Sequence, residues 1–348
     1  MGRRAAGTLL AALLLLPACL RSGPEPAPSP SPTAPVTAAP SPATGLEVAV
    51  VLPPASLGAA AGAAATREDL DDLRRRLGAD IRSLRVVQPD APAFVADVTE
   101  VVAEGGADLV CVVGPGAGEV VLAAAPRFPT TEFCATPATA AAELVPPNVL
   151  LIDVRVEEVA FLAGVAARLA DRPRAPGFVG GEFEHAIDLQ RTAFGLGINA
   201  VGGEPRTPYV GFPAADEARG YELAAPQYAA GVTVIYSAAG EADRGVLRAA
   251  EEADRLVIGS RDVLAPDDEE QLSPSVLLLT DMDVVVALEL AFTQALSTWE
   301  GGVASVGLAE DALLLVPGAS PVYGDVADAL AEVRARVEAG ELDPLAGP

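Results

Sequence analysis

The chain has 348 residues and a formal net charge of −25, and all 23 of its basic residues are arginine. Because nucleic-acid binding requires a basic surface, this charge argues against a nucleic-acid partner. The single histidine, His185, excludes a histidine-rich zinc site, and the three cysteines lack the spacing of metal ligands. We therefore expect a protein without cofactor or metal, and not an enzyme.

The N-terminus has the pattern of a secretory signal. Arg3 and Arg4 precede an apolar run at residues 9–16, and Cys19 follows the small residue Ala18. The run is shorter than the ~20 apolar residues that span a bilayer, as is typical of a cleaved signal peptide. The cysteine resembles that of a bacterial lipobox, which implies that Cys19 becomes the lipidated first residue. The alternative is an ordinary signal peptide with an incidental cysteine.

The segment after the signal is rich in Pro, Ala, Ser and Thr and has almost no large apolar side chain. Such a segment cannot bury a core, and its prolines favour extended chain. We expect residues 1–18 to be the signal peptide and residues 19–45 to tether the lipid to a folded region.

From residue 46 onward, apolar strand-like runs alternate with helical segments in two successive series. The first series is predicted as strand 46–52, helix 66–77, strand 83–87, helix 94–104, strand 109–114, helix 120–125, strand 131–134 and strand 148–154. The second is predicted as helix 157–170, strand 177–181, helix 185–196, strand 207–212, helix 216–229, strand 232–236, helix 244–253, strand 255–259, strand 276–280 and helix 283–299, followed by short strands and a terminal helix. Strands this apolar, separated by helices, indicate parallel sheets that are covered on both faces.

This alternation predicts an α/β fold with two doubly wound parallel-sheet lobes joined by a hinge. We expect the N-terminal lobe to contain residues 46–152 and 281–304, and the C-terminal lobe to contain residues 153–280 and 305–348. Ligands of such folds bind beyond the carboxyl ends of the strands, and hinged lobes close around them. A small-molecule site is therefore expected between the lobes.

The two cysteines of the folded region lie in predicted strands that one helix connects. Cys111 and Cys134 can therefore lie on adjacent parallel strands, outside the reducing cytoplasm. A disulfide there is sterically possible, and two buried free thiols are the alternative.

Several segments carry a family resemblance through their order along the chain. The strongest are Pro147-Asn148-Val149 and EEVAFLAG at residues 157–164. The others are residues 106–110, 124–129, 132–133, 177–181, 194–197, 230–236, 238–240, 245–246, 257–259, 279–280 and 301–308. Together they resemble the basic membrane protein family of substrate-binding lipoproteins, which has purine nucleoside-binding members.

The resemblance implies a type I periplasmic-binding-protein-like fold and a role in an ABC importer. It implies an ABC permease as partner, a lipid anchor in the cell membrane and an extracytoplasmic location. It also suggests a nucleoside ligand. A ligand sensor or scaffold lipoprotein with the same fold is the alternative function.

The expected ligand contacts of that family are altered in this chain. Residues 53–58 provide neither the carboxylate nor the aromatic side chain that the family has after its first strand. Arg261 stands where the family has an aspartate for sugar hydroxyls, and Asp281 and Val284 stand where it has a serine and a lysine. The family fold, which depends on core strands and turns, is still expected.

Candidate ligand contacts follow from their positions after predicted strands; they are Glu182, Phe183, Glu241, Asp243, Arg261, Asp262 and Asp281. Phe183 can stack on a ring or anchor the following helix. Glu241 and Asp243 can contact a ligand or cap a helix. Arg261 can clamp an anion or form a salt bridge with Asp262 or Asp281.

Two further features leave alternatives open. The run Gly114-Pro115-Gly116-Ala117-Gly118 lacks the end of a phosphate-binding loop, so it either lets backbone approach a ligand or makes a tight turn. His185 follows the turn at Gly180-Gly181, so it either faces the cleft or is an exposed residue at a helix start.

Overall fold

Two sheets form the scaffold of the protein in a computed structural model that describes residues 45–54, 65–171, 174–181, 185–204, 216–265 and 272–346. These residues belong to one compact unit, Thr44–Pro348. The predicted lipidation site Cys19 lies outside the described residues. The predicted strand 207–212 and the predicted ligand contacts Glu182 and Phe183 lie outside them as well.

The strands confirm the predicted α/β fold. Within the described ranges they are β1 Leu46–Val51, β2 Ile81–Val87, β3 Leu109–Val113, β4 Glu132–Thr136, β5 Val149–Val154, β6 Gly177–Gly180, β7 Val234–Ala238, β8 Leu256–Ser260, β9 Val276–Met282, β10 Gly302–Val306 and β11 Leu313–Pro317. The first sheet has the order β10-β5-β4-β3-β1-β2, and its pairs are parallel. The second has the order β11-β9-β8-β7-β6 and is parallel except for β11, which is antiparallel to β9.

Helices cover the two sheets. In the same part of the chain they are α1 Arg67–Leu77, α2 Val95–Glu104, α3 Ala117–Ala124, α4 Val156–Ala170, α5 His185–Ala200, α6 Glu217–Ala229, α7 Asp243–Ala253, α8 Arg261–Leu264, α9 Val284–Leu296 and α10 Tyr323–Glu338. We call the first sheet with α1, α2, α3 and α9 the first lobe, and the second sheet with the other helices the second lobe. The contacts between helices and strands follow this division.

Burial on both faces explains why the strands are almost continuously apolar. All five residues of β3 are buried. Val110 and Val112 belong to the core beneath α2 and α3, whereas Cys111 and Val113 belong to the core beneath α1 and α9. A parallel strand between two helical layers has no solvent-facing side, so alternation with polar residues is lost.

Helix α5 continues to Ala200, four residues beyond its predicted end. The boundaries of α3 and α9 also differ from the predictions, for local reasons. Helix α3 begins at Ala117 because Gly116 ends the preceding turn with a left-handed φ of +75°, from which the helix can start directly. Helix α9 ends at Leu296, since Ser297 leaves helical geometry. The indole nitrogen of Trp299 then donates to the carbonyl of Pro147 at 3.0 Å, which ties the chain to the segment before β5.

Cys111 and Cys134 form a disulfide. They are direct partners in the parallel pairing of β3 and β4, with a Cα–Cα distance of 4.4 Å, and both are fully buried. Of the two alternatives that the sequence left open, the structure has the bonded one.

Helices α4 and α5 pack closely through two glycines. A Cβ atom on Gly164 would lie 2.1 Å from the carbonyl oxygen of Phe194, and one on Gly197 would lie 2.0 Å from that of Phe161. Each glycine thus lies against the backbone of the opposite helix. This crossing fixes α5 next to α4, the first helix after the chain leaves β5.

None of the helices in the described ranges combines the length and the apolar character that crossing a membrane would require.

Candidate functional site

The carboxyl ends of the parallel strands carry those predicted site residues that the structure describes. In the first lobe β3 ends at Val113, and a turn with left-handed glycines (Gly114 φ +107°, Gly116 φ +75°) leads into α3. The amide of Ala117 donates to the carbonyl of Gly114 at 3.1 Å. A Cβ on Gly114 would be 3.0 Å from the Cβ of Pro53, so the turn packs against the segment that follows β1. The glycine run therefore makes a tight turn at this edge.

The segment after β1 is held by a hydrogen bond from the end of β2. The family pattern has a carboxylate in this segment. Pro53 and Pro54 are buried. The side-chain amide of Gln88 donates to the carbonyl of Pro53 at 2.9 Å, so an amide at the end of β2 holds the end of β1. No carboxylate or aromatic side chain follows β1 among residues 52–54.

In the second lobe, Arg261 and Asp281 pair at the ends of β8 and β9. An Arg261 guanidinium nitrogen lies 3.0 Å from Asp281 Oδ2, and Asp281 Oδ1 accepts from the amide of Met282 at 2.8 Å. Burial and the Asp281 carboxylate raise the pKa of Asp262, while Arg261 lowers it. The structure thus brings three predicted ligand contacts together and pairs Arg261 with Asp281.

Asp243 is fully buried at the start of α7 and joins the ends of two strands. Its Oδ1 accepts from the Ser237 hydroxyl at 2.5 Å and from the Ala239 amide at 3.0 Å, and its Oδ2 accepts from the Ser260 amide at 3.2 Å. Burial raises the pKa of Asp243 to about 7, although the three hydrogen bonds favour the charged form. Its acceptor oxygens are occupied by protein donors. Glu241, two residues earlier, is ion-paired with Arg244.

Two carboxylates that were not among the predicted ligand contacts, Asp153 and Glu157, lie where β5 passes into α4. Burial raises the pKa of Asp153, and the positive charges of Arg155 and His185 lower it. Burial also raises the pKa of Glu157, with Asp153 adding to the shift. His185 begins α5 of the second lobe, so Asp153 of the first lobe lies within electrostatic reach of it. The signal in the sequence was an aspartate near the end of an otherwise apolar strand.

Comparisons with known proteins agree with this architecture. A family model described as "ABC transporter substrate-binding protein PnrA-like" matches residues 73–337. Basic membrane protein D of Borreliella burgdorferi is 32% identical over 180 residues, which are 49% of this chain and 51% of that protein. The chain thus matches about half the length of this curated relative.

Solved structures share the fold at low identity. A solute-binding protein of an ABC transporter system from Aeropyrum pernix has a TM-score of 0.63 at 20% identity, covering 85% of this chain and 92% of that one. A transcriptional activator of the comK gene from Bacillus halodurans has a TM-score of 0.65 at 14% identity, covering 86% and 99%. The predicted type I periplasmic-binding-protein-like fold is therefore confirmed, and at these identities the likeness concerns the fold alone.

Proposed function

We propose a function from the premise that this chain belongs to the Bmp family of PnrA-like ABC transporter substrate-binding proteins. The chain acts as an extracytoplasmic solute-binding lipoprotein of an ABC importer, anchored through Cys19 and delivering its ligand to an ABC permease. The observation that carries this proposal is the pair of doubly wound sheets, which are connected by chain crossovers. The carboxyl ends of their strands carry polar side chains. Doubly wound sheets bind ligands at such ends. The family is one of binding proteins and not a class of enzymes.

The charges at the strand ends favour a neutral ligand with hydroxyl groups. Asp153, Glu157 and Asp262 are partly buried carboxylates with raised pKa values. The neighbouring arginines, Arg155 and Arg261, are already paired with carboxylates. Carboxylates accept hydrogen bonds from hydroxyl and amino groups and repel anions. A nucleoside fits this chemistry, although the contacts differ from those that the family resemblance implies.

A thermal-shift series tests the ligand class on the full-length protein in detergent. The probes are the four ribonucleosides, their 5′-monophosphates as matched anionic controls, ribose and free arginine. A ligand at about 100 times its Kd adds about 2.7 kcal/mol, which raises the Tm by about 4 °C for a folded region of about 300 residues. We expect this shift with one or more nucleosides and none with the monophosphates.

The other outcomes lead to different conclusions. A shift with ribose or arginine alone would retain the importer role and reassign the ligand within the neutral and cationic solutes. A shift with the monophosphates alone would contradict the proposed ligand class. If no probe raises the Tm, the result would favour the second candidate function.

That second candidate is a ligand sensor or scaffold lipoprotein with the same fold. It is favoured because several predicted ligand contacts already bind other groups of the protein. Asp243 accepts hydrogen bonds from the strand ends, Glu241 is ion-paired with Arg244, and Arg261 is ion-paired with Asp281. Crosslinking in native membranes distinguishes the two. An importer component should crosslink to a multispanning permease, whereas a sensor or scaffold should not.

Lipid anchoring gives a separate prediction. Replacing Cys19 with alanine removes the thiol to which the lipid would be attached, so the protein should be lost from washed membranes and appear in the soluble extracytoplasmic fraction. Fractionation followed by immunoblotting measures this. A matched Ala18→Ser variant, which keeps a small residue before Cys19, should stay with the membrane. Retention of Cys19→Ala in the membrane fraction would contradict the anchor.

A further inference from the structure

The chain crosses between the lobes at three places in the described residues, and backbone hydrogen bonds join these crossovers. They lie between β5 and α4 at Arg155, between β9 and α9 at Asp283, and between β10 and β11 at residues 307–312. The amide of Arg155 donates to the carbonyl of Val306 at 3.0 Å. The amide of Asp283 donates to the carbonyl of Ala312 at 2.9 Å, and the Ala312 amide donates to Gly307 at 2.9 Å.

The side chain of Arg155 connects two of these crossovers by ion pairs. Its Nε lies 2.5 Å from Glu158 Oε1, and a terminal guanidinium nitrogen lies 2.8 Å from Glu310 Oε2. Both carboxylates also accept hydrogen bonds from the backbone of the connection between β10 and β11. Glu158 Oε2 accepts from the Leu308 amide at 2.7 Å, and Glu310 Oε2 accepts from the Gly307 amide at 2.8 Å.

The absence of a side chain at Gly307 allows this arrangement. A Cβ atom there would lie 2.4 Å from Glu158 Oε2 and 2.7 Å from a terminal nitrogen of Arg155. The charged groups therefore occupy the space directly beside the backbone of the connection. We call Arg155, Glu158 and Glu310, with the backbone of Gly307 and Leu308, the crossover cluster.

We propose that Arg155 is a positioning residue that holds the two lobes in the arrangement of this structure through the crossover cluster. Hinged lobes move by changes in a few connecting residues, and here those residues are clamped. The Arg155 side chain is 27% exposed and that of Glu158 is 9% exposed, so water screens this pair weakly. A planar guanidinium can hold two carboxylates at once, which a lysine ammonium does less well.

Interlobe distances test the proposal without a ligand. Nitroxide labels are placed at Asp97→Cys on α2 and Glu251→Cys on α7, which are exposed positions in different lobes. The full chain carries Cys19→Ala, and the remaining cysteines are bonded to each other, so only the introduced thiols react. Pulsed electron paramagnetic resonance then gives the distribution of interlobe distances.

We expect Arg155→Gln to roughly double the width of this distribution, because the connections can then bend independently. Glu310→Gln should broaden it to an intermediate extent, since Glu310 is 43% exposed and its loss leaves the Glu158 pair intact. The distribution of the double variant should be no broader than that of Arg155→Gln alone, because both changes remove the same ion pair between Arg155 and Glu310. Glu338→Gln is the matched control, since it breaks the comparable pair of Arg334 and Glu338 within α10.

Two results would overturn the proposal. The first is an unchanged distribution in a folded Arg155→Gln protein, even with a lower Tm, because that would make the cluster merely stabilising. The second is equal broadening in Glu338→Gln, which would show a general effect of losing surface charge pairs. If Arg155→Gln does not fold, Glu310→Gln decides, and a width equal to that of the wild type then contradicts the proposal.

Discussion

Asp243→Asn should remove the loss of stability that Asp243 is expected to cause as the pH rises from about 4 to about 8. Burial raises the pKa of Asp243 from 3.8 to about 7. The folded protein therefore holds a proton between these values that the unfolded chain releases. The resulting stabilisation is complete below the unfolded pKa and is lost as the pH rises through about 7, to an extent of up to about 4 kcal/mol.

Asparagine removes the charge and alters one hydrogen bond. Its Oδ1 can still accept from Ser237 and Ala239, but its amide group faces the amide of Ser260 as a second donor. At about pH 5 the variant should be less stable than the wild type by about 1–3 kcal/mol. At about pH 8 the difference should shrink or reverse, since only the wild type must bury a negative charge.

Urea denaturation across this pH range measures the effect. Burial also raises the pKa of Glu132, Asp153, Glu157, Asp262 and Asp283. Both proteins should therefore lose stability as the pH rises, and the difference between them isolates Asp243. Asp254→Asn is the matched control because Asp254 is an exposed residue at the end of the same helix with a left-handed φ of 51°, which asparagine tolerates. Parallel pH curves for the wild type and Asp243→Asn would contradict the prediction.

Gly197→Ala should lower the free energy of unfolding by about 3 kcal/mol. The added methyl group would lie 2.0 Å from the carbonyl oxygen of Phe161, so α5 has to move away from α4. That movement loosens the buried contacts of Phe194. The centroid of its ring lies 5.9 Å from that of Phe178 and 5.4 Å from that of Tyr236. Backbone atoms cannot rotate out of the way as the end of a flexible side chain can, so relaxation is limited.

Gly324→Ala is the control for this substitution. Gly324 lies in the first turn of α10, where a Cβ atom would meet nothing within 4 Å. Alanine there should be neutral or stabilise the protein by up to about 1 kcal/mol, because it restricts the unfolded chain and favours the helix. Chemical denaturation followed by circular dichroism compares the two variants. A similar change in both would show that close backbone packing at Gly197 is not the cause.

The buried carboxylate of Asp243 also connects the strand ends that carry the predicted ligand contacts. Its hydrogen bonds join the end of β7 at Ser237 and Ala239 to the end of β8 at Ser260, which directly precedes Arg261. The pair of Arg261 and Asp281 then joins β8 to β9. The carboxyl edge of the second lobe is thus connected through polar side chains across three strands.

The apolar runs and helical segments of the sequence were sufficient to predict most elements and the two-lobed fold. Strand β3, residues 109–113, was predicted from an uninterrupted apolar segment. Helix α1 was predicted from its helical segment, and the structure shows that Thr66 and Asp69 form a capping box at its start. Both features are local, since they involve residues that lie close together along the chain. The segment order also indicated the family that the family model matched.

The partners of the charged and sulfur-containing groups depended on contacts between distant residues. Composition left the bonding of Cys111 and Cys134 open, and it was the register of β3 against β4 that placed them opposite each other. Arg261 had two nearby acidic candidates, and the pairing of β8 with β9 brought Asp281 to it.

The crossover cluster had no sequence signal, because Arg155 and Glu310 are 155 positions apart and meet only where the chain passes between the lobes. A sequence determines which segments bury apolar surface. Which polar groups meet is decided by the folded topology, since those contacts form only after distant strands and crossovers are in place.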